Sequence, residues 1–165
     1  MKVLLMRHGI AVERDKWRDA DELRPLTQQG IQRTRQVLQS LKHLESRLDL
    51  IACSPLTRAA QTAALAGEIY QREIETWPEL ENADFAALAN RLPLQSTLGP
   101  ILLIGHEPGL SRFAAQLLGG RADSFKADGL QLDFKKAAIC ALEVDFVRES
   151  ASLLWFAPPR LLRKL

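Results

Sequence analysis

Short apolar runs alternate with helical stripes along this chain. Val3-Leu4-Leu5-Met6 is continuously apolar between Lys2 and Arg7, the pattern of a strand covered on both faces. Over 28–44 the spacing changes: Ile31, Leu38, Leu41 and Leu44, with Val37 beside them, form the stripe of an amphipathic helix capped by Thr27. Leu50–Cys53 is a second strand. It runs into Ser54-Pro55, an N-cap residue followed by proline, so an alanine-rich helix should open there and reach about Tyr70. A short strand over Ile74–Trp77 and a modest helix near Asp84–Leu92 follow. Ile101–Ile104 is again fully apolar, and Pro108 opens a helix whose inner face is Leu110, Phe113, Ala114, Leu117 and Leu118, closed by Gly119-Gly120. Strand patterns then dominate at Leu130–Phe134, Ile139–Val144 and Leu153–Phe156. This order predicts the α/β class: a three-layer α/β/α sandwich with a mainly parallel sheet and antiparallel strands added late in the chain.

Length and composition narrow the function. The 165 residues suit a single domain, 1–165. Twenty-two Lys+Arg against 20 Asp+Glu leave a formal charge of +2, which argues against nucleic-acid binding through a broad basic field. At 47% hydrophobic the chain is no candidate for disorder. No apolar run approaches the ~20 residues of a membrane span, and Met1–Met6 is too short for a signal-peptide core, so a cytoplasmic location is expected. Cys53 and Cys140 sit in apolar runs without ligand spacing and read as buried, reduced thiols. With no HExxH and no histidine pair at helical spacing, metal binding is not expected.

The chemistry concentrates at strand ends. In open α/β sheets, ligands bind beyond the carboxyl ends of the strands. The first strand ends in Arg7-His8-Gly9, the second leads through Ser54-Pro55 to Arg58, and Ile101–Ile104 leads into Gly105-His106-Glu107-Pro108. Two arginines can grip a phosphoryl dianion in bidentate fashion, and Arg58 would sit in a first helical turn that also favours anions. A neutral His8 could attack phosphorus, while a protonated His106 would stabilise the equatorial oxygens. Gly9 would let backbone pass close to the ligand. Taken singly, Arg7 also fits a salt-bridged strand terminus and His106 a satisfied histidine at a helix entrance. His43 lies on the polar face of its helix and reads as solvated. Glu13–Arg24, dense in mixed charge, reads as a solvated loop or as a rim that selects a partner. The basic, leucine-rich Arg160–Leu165 either covers part of the core or frays.

Arg7-His8-Gly9, Ser54-Pro55-Leu56-Thr57-Arg58-Ala59-Ala60-Gln61-Thr62 and Gly105-His106-Glu107-Pro108 together resemble the three motifs of the histidine phosphatase superfamily, with its phosphoglycerate-mutase-like fold. The short length and Arg24-Pro25-Leu26-Thr27 make the chain most similar to the SixA-type phosphohistidine phosphatases. The resemblance implies a phosphohistidine intermediate on His8, with Arg7, Arg58 and His106 completing the phosphate pocket, and no metal or organic cofactor. It implies Glu79 as the counterpart of the acid used by larger members, with Glu81, Asp84 and Glu107 as alternatives. The implied partner is a phosphohistidine-bearing protein, such as a phosphotransfer domain, met by a monomer that engages neither nucleic acid nor membrane. The short stretch between Ile74 and Pro100 supports that substrate, because it has no room for a long insertion closing over a metabolite. A broad phosphomonoesterase acting on a small molecule or nucleotide is the enzymic alternative, and a non-catalytic phosphate-binding module is a third reading.

Overall fold

The computed structural model describes residues 1–82, 84–95, 99–119 and 132–165. Their strands are β1 (Lys2–Arg7), β2 (Leu50–Cys53), β3 (Ile74–Thr76), β4 (Ile101–Gly105), β5 (Ile139–Asp145) and β6 (Ser150–Ala157). They form one sheet in the order β3-β2-β4-β1-β5-β6. β3, β2, β4 and β1 are mutually parallel, whereas β5 and β6 join as an antiparallel pair. The mixed sheet is thus the expected one.

Alternating side chains divide the core into two layers. Leu4, Met6, Ile51, Leu102 and Ile104 pack under α1 (Gln28–Leu44) and α2 (Thr57–Tyr70). Val3, Leu5, Ala52, Ile101 and Leu103 face the opposite layer, which holds α3 (Glu79–Asn82), α4 (Phe85–Arg91) and α5 (Gly109–Leu117). Cys53 belongs to the first layer and Cys140 to the second, so the sheet separates the two thiols. Burial raises them to about 11 and about 12.

α1 begins as its sequence predicts, with Thr27 Oγ1 accepting the Gly30 N–H at 2.9 Å. Gly30 is needed there because a Cβ would stand 2.0 Å from the Ile10 carbonyl oxygen. α2 begins later than expected. Its N-cap is Leu56, and Ser54 turns its hydroxyl to the Leu56 N–H (3.2 Å) and to His106 instead of capping. Arg58 remains in the first turn, and α2 ends at Tyr70 with Gln71 left-handed at φ 53°.

Three other expectations change. Leu132–Phe134 pairs with no strand, while Leu130, Gln131 and Gly120 lie outside the described residues. The edge of β1 is already taken by β5, and Phe134 is a fully buried anchor in the second layer. β6 starts at Ser150, three residues early, because the polar residues of an edge strand can pair without a buried face. The C-terminus forms a short helix, α6 (Pro159–Leu162), whose Leu162 is buried in the first layer and settles that segment as a partial cover. Among the described residues, no helix is long and apolar enough to cross a membrane.

Candidate active site

β1, β2 and β4 end side by side, and their following residues meet there. The His8 N–H donates to the Gly105 carbonyl at 3.1 Å, and the Ser54 N–H to the Ile104 carbonyl at 3.0 Å. These ties bring the His8 and His106 rings to a centroid separation of 5.1 Å at an interplanar angle of 51°.

His8 is buried, and its Nδ1 lies 2.7 Å from the Gly9 carbonyl oxygen. A carbonyl only accepts, so Nδ1 must carry the proton, and the neutral ring keeps its lone pair on Nε2. Burial first, then the nearby His106, depress the His8 pKa from 6.5 to about 3, with Arg58 and Arg7 adding to the effect. His8 is therefore neutral near pH 7, as attack on phosphorus requires.

His106 is also depressed, to about 4, by burial and then by Arg58 and Arg7. His106 is thus neutral near pH 7, where the sequence suggested a protonated ring. Its Nε2 lies 2.8 Å from Ser54 Oγ. Because that oxygen already accepts the Leu56 N–H, the hydroxyl can donate its own proton to Nε2, leaving the ring's proton on Nδ1. The His106 Nδ1 is buried and has no protein partner.

The arginines show the same incompletion. Arg7 Nη1 donates to the Phe134 carbonyl at 2.7 Å, and Arg58 Nη1 donates to the Asp21 carbonyl at 2.9 Å. In both, Nε is buried without a partner. Unpaired buried donors are costly unless something fills the space between them. Three such donors belong to residues that sit at or act on the two imidazoles, a set whose chemistry can hold a compact oxyanion.

The glycine and the carboxylates depart from the sequence reading. Gly9 has no free N–H for a ligand: it donates to Thr62 Oγ1 at 3.0 Å, and its carbonyl holds His8. Its place is behind the His8 ring. Glu79 is the first residue of α3, and its Oε1 accepts from Arg91 Nη1 at 3.0 Å. Asp84 caps α4 through the Ala87 N–H. The carboxylates that line the roughly 210 Å³ recess beside His106 are Glu81 and Glu107. Burial raises the Glu107 pKa, against the lowering effects of Ser111 and Arg7.

Sequence reasoning names Ser54, Gln61 and Thr62 within a motif and Asp21 within the charged loop but gives none of the four a place in the site. Thr62 donates to the Arg58 carbonyl while accepting from Gly9, and Gln61 Oε1 accepts the Leu26 N–H at 2.7 Å. Their spacing of three and four from Arg58 places them on its side of α2, a readable signal. Asp21 lies far away in sequence and gave none.

The family model for the histidine phosphatase superfamily (branch 1) matches residues 3–97. An uncharacterized protein of Picosynechococcus is 34% identical over 163 residues, covering 92% of this chain and 90% of its own. Among solved structures, the protein histidine phosphatase SixA complexed with tungstate matches with a TM-score of 0.84 at 26% identity, over 98% of this chain and 99% of that one. Two others share the fold. The alpha-ribazole phosphatase from Shigella flexneri has a TM-score of 0.74 at 22% identity, over 96% and 97% of the two chains. A mycobacterial glucosyl-3-phosphoglycerate phosphatase has 0.75 at 16%, over 95% and 99%. The chain belongs to the histidine phosphatase superfamily, and with these neighbours its activity class is phosphatase.

Proposed function

We propose that this histidine phosphatase removes phosphoryl groups from histidine side chains of a partner protein, through a phosphohistidine formed on His8. The observation that carries the mechanism is the tethering of His8. With Nδ1 held by the Gly9 carbonyl, the one lone pair left on the neutral ring is on Nε2. The unpartnered Nε atoms of Arg7 and Arg58 and the Nδ1 of His106 would take the oxygens of the transferring group.

In the first step His8 Nε2 bonds to phosphorus, and the bond from phosphorus to the substrate imidazole breaks. The leaving ring keeps the electron pair and takes up a proton. Water then attacks the phosphorus on His8, releasing inorganic phosphate and restoring the free imidazole. No metal or organic cofactor is invoked. A phosphoramidate parts readily once its leaving nitrogen is protonated, so the hold of Arg91 on Glu79 Oε1 is no obstacle with this substrate, although Oε2 is left buried without a partner. The likeness to SixA over nearly the whole of both chains supports the choice of a protein substrate. The two thiols, buried on opposite sides of the sheet, suit a reducing cytoplasm.

The test is a brief reaction with a phosphohistidine-bearing phosphotransfer domain, quenched in alkali. The enzyme is expected to carry alkali-stable, acid-labile phosphate, and His8→Ala to lose both the label and turnover, by about a thousandfold or more. Intact turnover in His8→Ala would overturn the mechanism. Much faster hydrolysis of small phosphate esters by the wild type would leave the mechanism standing and replace the substrate.

A further inference from the structure

The segment from Glu13 to Arg24 is more than a solvated loop, because one of its residues reaches the site. It runs through two 3₁₀ turns, Arg14–Lys16 and Asp21–Leu23, and is pinned at both ends. The Val12 N–H donates to the Pro25 carbonyl at 2.9 Å, and Ala11 bridges Leu26. Within it, Asp21 meets Arg58 twice. Its main-chain carbonyl accepts from Nη1 at 2.9 Å, and its carboxylate Oδ2 lies 3.1 Å from Nη2. The other carboxylate oxygen, Oδ1, accepts from Arg24 Nε at 2.9 Å, and Arg24 Nη1 in turn donates to the Val12 carbonyl at 2.7 Å.

A guanidinium has two edges suited to a bidentate partner: the end edge, made by both Nη groups, and the side edge, made by Nε and the inner N–H of Nη2. Asp21 occupies the end edge. The side edge is left with its Nε buried and unpartnered. We infer that Asp21 is a positioning residue, clamping the end of the Arg58 fork so that its side edge is presented to the phosphoryl group. The inference rests on the reading of Arg58 as a phosphate ligand and is independent of which phosphorylated substrate is used. Arg7 is built alike, with the Phe134 carbonyl taking Nη1 and Nε left over.

Two effects of Asp21 oppose one another. Its negative charge weakens the field of Arg58 for an anion, while its oxygens fix the direction of the donors. Asparagine at this position keeps an oxygen acceptor for Arg58, gives up the one that Arg24 uses, and removes the charge. Alanine removes both acceptors and the charge, and leaves Arg58 only the main-chain carbonyl on Nη1. A clamp therefore predicts a particular order of affinity for inorganic phosphate, measured by isothermal titration calorimetry. Asp21→Asn should bind at least as tightly as wild type, and Asp21→Ala should bind about fivefold more weakly. In an Arg58→Ala background, Asp21→Ala should add less than about twofold, because the two residues act as one unit.

Tighter binding by both Asn and Ala would show a role of charge alone and overturn the clamp. So would wild-type affinity in Asp21→Ala, or an undiminished fivefold loss in the Arg58→Ala background. Thermal melting of each variant checks that the segment has not simply come loose. If Asp21→Ala fails to fold, the Asn variant decides: an affinity below wild type overturns the clamp. Failure of the wild type to bind phosphate would remove the phosphate site itself, and this inference with it.

Discussion

A Cβ on Gly9 would stand 2.3 Å from Thr34 Oγ1 and 3.3 Å from Leu26 Cδ2. At this residue the absent side chain serves the packing of α1 against the loop that holds His8. Gly9→Ala is therefore expected to cost about 1–3 kcal/mol, the usual range for overpacking, and to slow turnover by shifting the carbonyl that tethers Nδ1. The Thr34 hydroxyl is buried without a partner, so its removal sacrifices no hydrogen bond. Thr34→Ala in the Gly9→Ala background should restore most of the stability in urea denaturation. Wild-type stability in Gly9→Ala alone would refute the clash. Ser54 makes a second residue-level case. Ser54→Ala strips His106 Nε2 and the Leu56 N–H of their shared partner. Loss of a buried partner costs about 1–3 kcal/mol of stability, and with the proton of the His106 ring no longer fixed kcat/KM should fall by about tenfold. An unchanged kcat/KM would show that the hydroxyl does not set the ring's proton.

The elements differ in how far their sequences declare them. The middles of β1, β2 and β4 are continuously apolar because helices cover both faces, and that pattern needs no tertiary knowledge to read. Their ends therefore pointed to Arg7, His8 and His106 in advance. α3 is different. Its single turn is too short for periodicity, and its position comes from a long-range assembly. Arg91 of α4 stacks 4.1 Å from the Trp77 ring centroid while holding Glu79 at 3.0 Å and Glu75 at 3.6 Å. No local pattern announces that a carboxylate after Trp77-Pro78 will be claimed by an arginine twelve residues on. The same limit hid Asp21, which reaches Arg58 across 37 residues, and the Phe134 carbonyl, which is main chain and has no residue code. The Ser54-Pro55 pair misled for a related reason, since its hydroxyl is drawn to His106. The Arg91 assembly gives Glu79 a structural role that can be separated from chemistry. Glu79→Gln should lower the melting temperature by a few degrees, as a loss of about 1 kcal/mol does in a domain of this size. Phosphohistidine turnover should stay within about threefold of wild type. A hundredfold loss in kcat at unchanged stability would make Glu79 the acid after all.

Over the whole molecule, the site carries a cost that pH exposes. Two imidazoles are kept neutral in a buried, arginine-flanked pocket, with pKa values of about 3 and about 4 against an ordinary 6.5. Below pH 6.5 the unfolded chain takes up protons at both histidines and the folded protein does not. Stability is therefore full above about pH 6.5 and declines as pH falls, until His106 and then His8 protonate in place. While both unfolded histidines are charged and both folded ones neutral, the slope approaches two protons. That is about 2–3 kcal/mol per pH unit, a large share of the ~5–15 kcal/mol that holds a domain together. The carboxylates Asp21 and Asp49, held below their ordinary 3.8, add their own loss only at lower pH, whereas Glu107, raised by burial, takes up its proton first in the folded state and works against the fall. Between pH 6 and 4.5 the two histidines should dominate. Urea denaturation across that interval should show the full slope in wild type, about half of it in His8→Gln or His106→Gln, and little in the double variant. Inorganic phosphate at millimolar concentration should flatten the wild-type curve, because a bound dianion offsets the arginines and favours protonation of the folded site. An equally steep fall in the double variant would place the acid sensitivity outside the pocket, and the two rings would then not be the strained pair that the structure describes.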